Sequence, residues 1–151
     1  MKMHTPSEHK IAGKAYDAEI ELVYHDAVGK NLVISVLADS AASGSPTIIA
    51  DASTTARKGS KSPIAFDFFG ALQSIRVKCS GDKACAKEDS SPYYYYVGSM
   101  TTPPCAENVH RLVLKYPFSI RTEDIGQIKA INGANARPLQ NIANLEVVER
   151  S

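Results

Sequence analysis

The sequence predicts one mainly-β domain with few helices (α+β). Three observations carry this expectation. Residues 18–25 alternate between two faces, residues 31–38 are a nearly continuous apolar run, and residues 93–96 are four consecutive tyrosines. Only residues 119–131 read as a good helix.

In order, residues 1–9 read as an extended segment, because Pro6 biases Thr5 away from helix. Lys2 and His4 then share one face and Met3 takes the other. Gly13 and Lys14 mark the tip of a hairpin over residues 11–16. In the strand that follows, Glu19, Glu21, Val23 and His25 oppose Ile20, Leu22 and Tyr24. The aliphatic face is predicted to be core, and the glutamates to face a cavity. Residues 26–30 are a Gly-containing turn, and the run Leu32-Val33-Ile34-Ser35-Val36-Leu37 suits an interior strand. Residues 39–56 read as loop with a short element, residues 58–63 as basic loop, and residues 79–91 as a charged surface insertion.

After the tyrosines, Gly98 permits a turn, and Pro103 and Pro104 deny the backbone any ladder donors. The Thr101-Thr102 pair between them presents two hydroxyls with little freedom. That suits either an ordinary rigid turn or a site that orients a small polar nucleophile. Residues 109–117 form another strand. Ser119 or Thr122 can cap the helix, Glu123 and Asp124 favour its first turn, Ile125, Ile128 and Ile131 recur along it, and Gly133 ends it. Leu139, Ile142, Leu145 and Val147 mark a final extended segment.

Composition narrows the function. At 151 residues, with no internal repeat or linker, the chain (1–151) fits one domain. Its 17 basic and 16 acidic residues imply no nucleic-acid partner. There is no run of about 18 apolar residues that would span a membrane, and no apolar signal core in roughly the first twenty. Three cysteines, Cys79, Cys85 and Cys105, leave at least one thiol unpaired within the chain.

Three segments in order, Met3-His4-Thr5-Pro6-Ser7-Glu8-His9, Ala18-Glu19-Ile20-Glu21-Leu22-Val23 and Gly98-Ser99-Met100-Thr101-Thr102-Pro103-Pro104-Cys105, resemble signature segments of the alpha-class carbonic anhydrases. Asn135-Ala136-Arg137-Pro138-Leu139-Gln140 resembles that family's closing Arg-Pro motif, and Phe66-Asp67-Phe68 its Phe-Asp-Pro segment. The resemblance implies a large, mostly antiparallel twisted sheet. It also implies that the N-terminal part is lacking, either lost or cut off by a fragment or a late start, because the His-Thr-Pro-Ser-Glu-His segment lies well inside the family's domain. Uncovered sheet edges would then favour an unknown protein partner or self-association. A secretory or extracellular location follows only if the N-terminus is incomplete. In secreted members the cysteine after Pro-Pro pairs with one near the front, which makes Cys105 the expected odd thiol.

The family holds zinc with three histidines, and the resemblance places Lys2, His4 and Glu21 at those positions. A protonated ammonium has no lone pair to give, and a carboxylate alone would weaken the site. His25 lies four residues beyond Glu21, roughly 13 Å along a strand, too far to replace it. Glu19 matches a carboxylate that orients a ligand histidine. Glu8 matches the glutamate that accepts a hydrogen bond from the threonine at Thr101; alone it reads equally as a turn carboxylate, and His9 as a packed histidine. Val23, Ile34, Val109 and Thr102 match the carbon dioxide pocket, although each aliphatic is equally explained as core. Arg111 stands where the family has a buried tryptophan, and a charge network of Lys2, Arg111, Glu19 and Glu21 is expected to fill the old metal cavity. The resulting expectation is a catalytically inactive carbonic-anhydrase-related domain acting in binding or assembly, with no cofactor. The alternative is a zinc-dependent carbonic anhydrase, carrying the family's carbonate dehydratase (lyase) activity, or a truncated fragment of one.

Overall fold

The structure is a computed structural model that describes residues 1–43, 92–142 and 144–150. Among these residues, strands β1 (Lys2–His4), β4 (Ala18–His25), β5 (Asn31–Ala41), β6 (Tyr93–Ser99), β7 (Glu107–Leu114), β8 (Phe118–Arg121) and β9 (Val148–Arg150) form one sheet. Its order is β1-β4-β5-β7-β6-β9, with β8 also pairing β5. Most pairings are antiparallel, as predicted, and β5 pairs β7 and β8 in parallel. Strands β2 (Lys10–Ile11) and β3 (Lys14–Ala15) make the expected hairpin. Its tip is Ala12-Gly13, with φ of 48° and 80°, the doubly positive turn that matches strand twist.

The alternation in β4 sorts the sheet into two faces. Ala18, Ile20 and Leu22 pack with Val36, Ala38, Leu114 and Ile120. Helix α1 (Thr122–Asn132) covers this core with Ile128 and Ile125. The opposite face carries Glu19, Glu21, Ser35 and Arg111, all buried, together with a smaller apolar cluster of Tyr16, Leu37 and Val113 against Tyr94 and Tyr96. The tyrosine strand divides as its period requires, with Tyr93 on the main core and Tyr94 and Tyr96 on the cavity face.

Several details differ from the sequence expectation. Gly98 lies inside β6, beside a register shift, and does not turn the chain. A Cβ there would sit 2.8 Å from the Tyr96 ring, so glycine lets that ring lie against the backbone. The helix begins at Thr122 rather than Ser119, which belongs to β8, and its N-cap is Arg121 with no side-chain cap bond. Arg121 instead forks onto the buried Asp124, with Nε and Nη2 each 2.9 Å from a carboxylate oxygen. Gly133, at φ 71°, ends the helix as expected. The Phe66-Asp67-Phe68 segment, Cys79, Cys85, the basic loop and the charged insertion lie outside the described residues. Cys105 is a free, half-buried thiol.

Candidate functional site

The cavity face is assembled from elements distant in sequence. β1 pairs β4 with Lys2 opposite Glu21 and His4 opposite Glu19. β6 pairs β7 with Tyr96 opposite Arg111. The segment after β1 brings in Glu8 and His9, and the turn after β6 brings Thr101 and Thr102.

At the centre is a buried ion pair. Arg111 Nη1 donates to Glu21 Oε1 at 2.8 Å, and neither side chain is more than 1% exposed. Arg111 Nε donates to the Ser99 carbonyl at 3.0 Å. His4 sits between two carboxylates, its Nδ1 3.4 Å from Glu8 and its Nε2 3.6 Å from Glu21. These are ion-pair distances, and neither ring nitrogen makes a hydrogen bond among the described residues.

The four-residue network expected from sequence separates into parts. Arg111 chooses Glu21. Glu19 accepts from the backbone N–H groups of Glu8 and His9, each at 2.9 Å, and from His9 Nδ1 at 2.6 Å. His9 Nε2 lies 2.6 Å from Tyr96 Oη, so His9 links Glu19 to the tyrosine strand. Lys2 turns to the rim, where its ammonium donates to Thr102 Oγ1 at 2.7 Å. Sequence reasoning missed the pairing of His9 with Tyr96. The available signal was the tyrosine alternation, which puts Tyr96 on the face of Glu19.

The charges follow from this packing. Burial alone would raise the pKa of Glu21, but His4 and Arg111 outweigh it and hold the carboxyl at about 2. Burial would lower that of His4, but Glu21 and Glu8 hold it above its ordinary value. Burial also works against the Glu19 carboxylate, yet His9 keeps its pKa low, and burial pushes the Tyr96 phenol up to about 12. A depressed Glu21 stabilises the fold above its ordinary 4.5, and that contribution is lost as pH falls toward about 2. A raised His4 stabilises the fold fully below its ordinary 6.5, and that contribution is lost as pH rises through its folded value. Melting temperature is therefore expected to peak between these two ordinary values. In a pH series, Glu21→Gln should remove the acid arm and His4→Gln the alkaline arm; a wild-type profile that does not fall above neutrality would show that folding does not raise the pKa of His4.

Other predicted partners are placed differently. Thr101 Oγ1 and Glu8 Oε2 are both buried without a hydrogen-bond partner among the described residues, so the Glu8–Thr101 bond is not made. Glu8 Oε1 instead accepts from the Arg137 backbone N–H at 2.9 Å. Ile34 pairs Leu22 and packs into the main core, whereas Val23 and Val109 lie on the cavity face beside Val33. A one-residue offset in a strand moves a side chain to the other face, so Val33 occupies the wall expected of Ile34. His25 is exposed and bonded to Asn31, away from the site. A cavity of about 520 Å³ opens on this face between Tyr94, Tyr96, Thr101 and Arg111 and the segment carrying Arg137 to Val147. None of Val23, Ile34, Val109 or Thr102 lines it.

For a metal, His4, Glu8 and Glu21 each offer a ligand atom, all within 4.8 Å of one another and all buried. The two glutamates face opposite nitrogens of the same ring, and Arg111 holds the second oxygen of Glu21.

The sequence model of eukaryotic-type carbonic anhydrase matches residues 1–150. The chain belongs to this family. It is 28% identical over 147 residues to a carbonic anhydrase of Klebsiella pneumoniae, covering 97% of this chain and 54% of that protein. It is 31% identical over 142 residues to one of Pectobacterium carotovorum, covering 91% and 51%. A hyperthermostable carbonic anhydrase from a hydrothermal vent chimney superposes with a TM-score of 0.77 at 27% identity, over 99% of this chain and 61% of that one. The Photobacterium profundum alpha-carbonic anhydrase gives 0.73 at 27%, over 96% and 61%. The chain thus spans about half the length of the curated carbonic anhydrases it matches. No helix among the described residues is long and apolar enough to cross a membrane.

Proposed function

We propose that this domain has exchanged the zinc of its family for a buried ion-pair cluster and works by binding rather than by hydrating carbon dioxide. The observation that carries the reading is the Arg111–Glu21 pair, 2.8 Å long and shut off from water. A guanidinium held on one oxygen of Glu21 opposes a dication at the other, and the ammonium of Lys2, on the neighbouring strand, adds to the repulsion. His4, between two carboxylates and favouring its proton, is arranged as an imidazolium with two counter-ions. Its two nitrogens face different glutamates, Nδ1 toward Glu8 and Nε2 toward Glu21. Two electron-pair donors remain at the three inherited positions, where catalytic zinc takes three.

A second reading, zinc-dependent carbon dioxide hydration, is favoured by the buried His4, Glu8 and Glu21 grouping. In that case His4 and Glu21 would hold the ion, which would supply an activated water. One experiment separates the readings. Purified chain is loaded with zinc and desalted, then its metal content and hydration rate are measured. Substoichiometric zinc with hydration at the buffer rate is expected. A tightly held ion, with hydration abolished by His4→Ala, would overturn the proposal.

A further inference from the structure

Arg111 lines the cavity and is 1% exposed, with Nη1 on Glu21, Nε on Ser99 and Nη2 without a hydrogen-bond partner among the described residues. A buried guanidinium N–H left unmatched is costly, and it is matched best by an anionic oxygen. Thr101 Oγ1, on the same lining, is also buried and unpartnered. Charge on the lining leans the same way: among the described residues Lys10, Arg111 and Arg137 are cationic, and Glu8 is the one carboxylate. Apolar side chains make up much of the remaining wall, with Tyr94, Tyr96 and Val113 on the sheet side and Leu139, Ile142 and Leu145 opposite, while His9, Ser99, Gln140 and Asn141 add polar groups. Leu139 and Ile142 are 58% and 62% exposed, which is apolar surface that a body in the cavity would cover.

We propose that this cavity binds a small monocarboxylate with an apolar, aromatic-sized body, its carboxylate received by Arg111 Nη2 and its body held between the tyrosines and the leucine-rich segment. A volume of about 520 Å³ suits such a ligand, since pockets for small molecules run from about 300 to 1,000 Å³. The inference gives a ligand class to the binding role proposed above and rests on it.

The test is calorimetric titration of the full chain, in EDTA, with 3-phenylpropionate and with its neutral primary amide. The acid is expected to bind saturably, and the amide at least about tenfold more weakly, the value of one charge-assisted hydrogen bond. The double variant Arg111→Met/Glu21→Gln, which removes both signs together, should lose the preference for the acid. Equal binding of acid and amide, binding of neither, or a double variant that keeps the preference would each overturn the inference. If the double variant does not fold, the comparison on the unaltered chain decides. Because EDTA is present throughout, a chain found to hold zinc in the separate metal assay would defeat the earlier reading and leave this result to be judged alone.

Discussion

If the domain has lost its zinc as proposed, rebuilding three positions together, Lys2→His, Glu21→His and Arg111→Trp, is expected to give a chain that holds about one ion where the parent holds less. The scaffold is already in place. Lys2 and His4 lie on one face of β1, and Glu21 sits directly across from Lys2 on β4, so three imidazoles would face a common point on a rigid sheet. On the proposed reading, what opposes the ion is charge and missing lone pairs. Removing two cations and supplying two neutral donors should raise affinity on the order of a thousandfold, about 4 kcal/mol. The order of substitution matters. Glu21→His alone strands the Arg111 guanidinium without its counter-ion, so it should gain little zinc and lose stability. Competition against a chromophoric chelator reads the affinity directly. A triple variant that folds yet binds zinc no better than the parent would show that the strand geometry, not the donor set, is what excludes the metal.

The second large effect concerns the pair itself. Arg111→Met or Glu21→Gln singly should destabilise the domain by about 3–5 kcal/mol, because each leaves a charge buried without its partner. The double variant should recover most of that loss, since two neutral side chains of similar length leave no uncompensated charge. Denaturant unfolding of the four proteins gives the coupling energy as the failure of the single losses to add. Single losses near zero would mean that water reaches the pair and that it does not govern this face. Arg111→Trp alone should also be poorly tolerated, although tryptophan is the residue the family resemblance puts there, because Glu21 would remain charged beneath it.

Much of this architecture could be read locally. The alternation of residues 18–25 matches the span of β4, and it predicts both that Ile20 and Leu22 enter the core and that Glu19 and Glu21 take the opposite face, where they are buried without lining the cavity. Arg111, beside a predicted pocket, reads as a charge that needs a partner, and Glu19 and Glu21 are the carboxylates that the sequence puts within its network. Where the reading failed, the cause was register or choice among neighbours. Ile34 was placed on the wrong face by one residue, since in the continuously apolar strand β5 no polar alternation marks which side is which. Ser119 reads as a helix cap, but pairing with β5 draws it into β8. Glu8 was expected to take Thr101, but residues near the C-terminus bring the Arg137 N–H within reach first.

By itself the sequence determined the periods of the elements, the family and the chemistry at each inherited ligand position, because these depend on side-chain identity and near-neighbour spacing. The tertiary structure alone decided which opposite charges meet. Arg111 and Glu21 are 90 residues apart, and Glu19 and Glu21 are chemically the same acid two residues apart on one face. Only strand order and register give one of them a guanidinium and the other an imidazole.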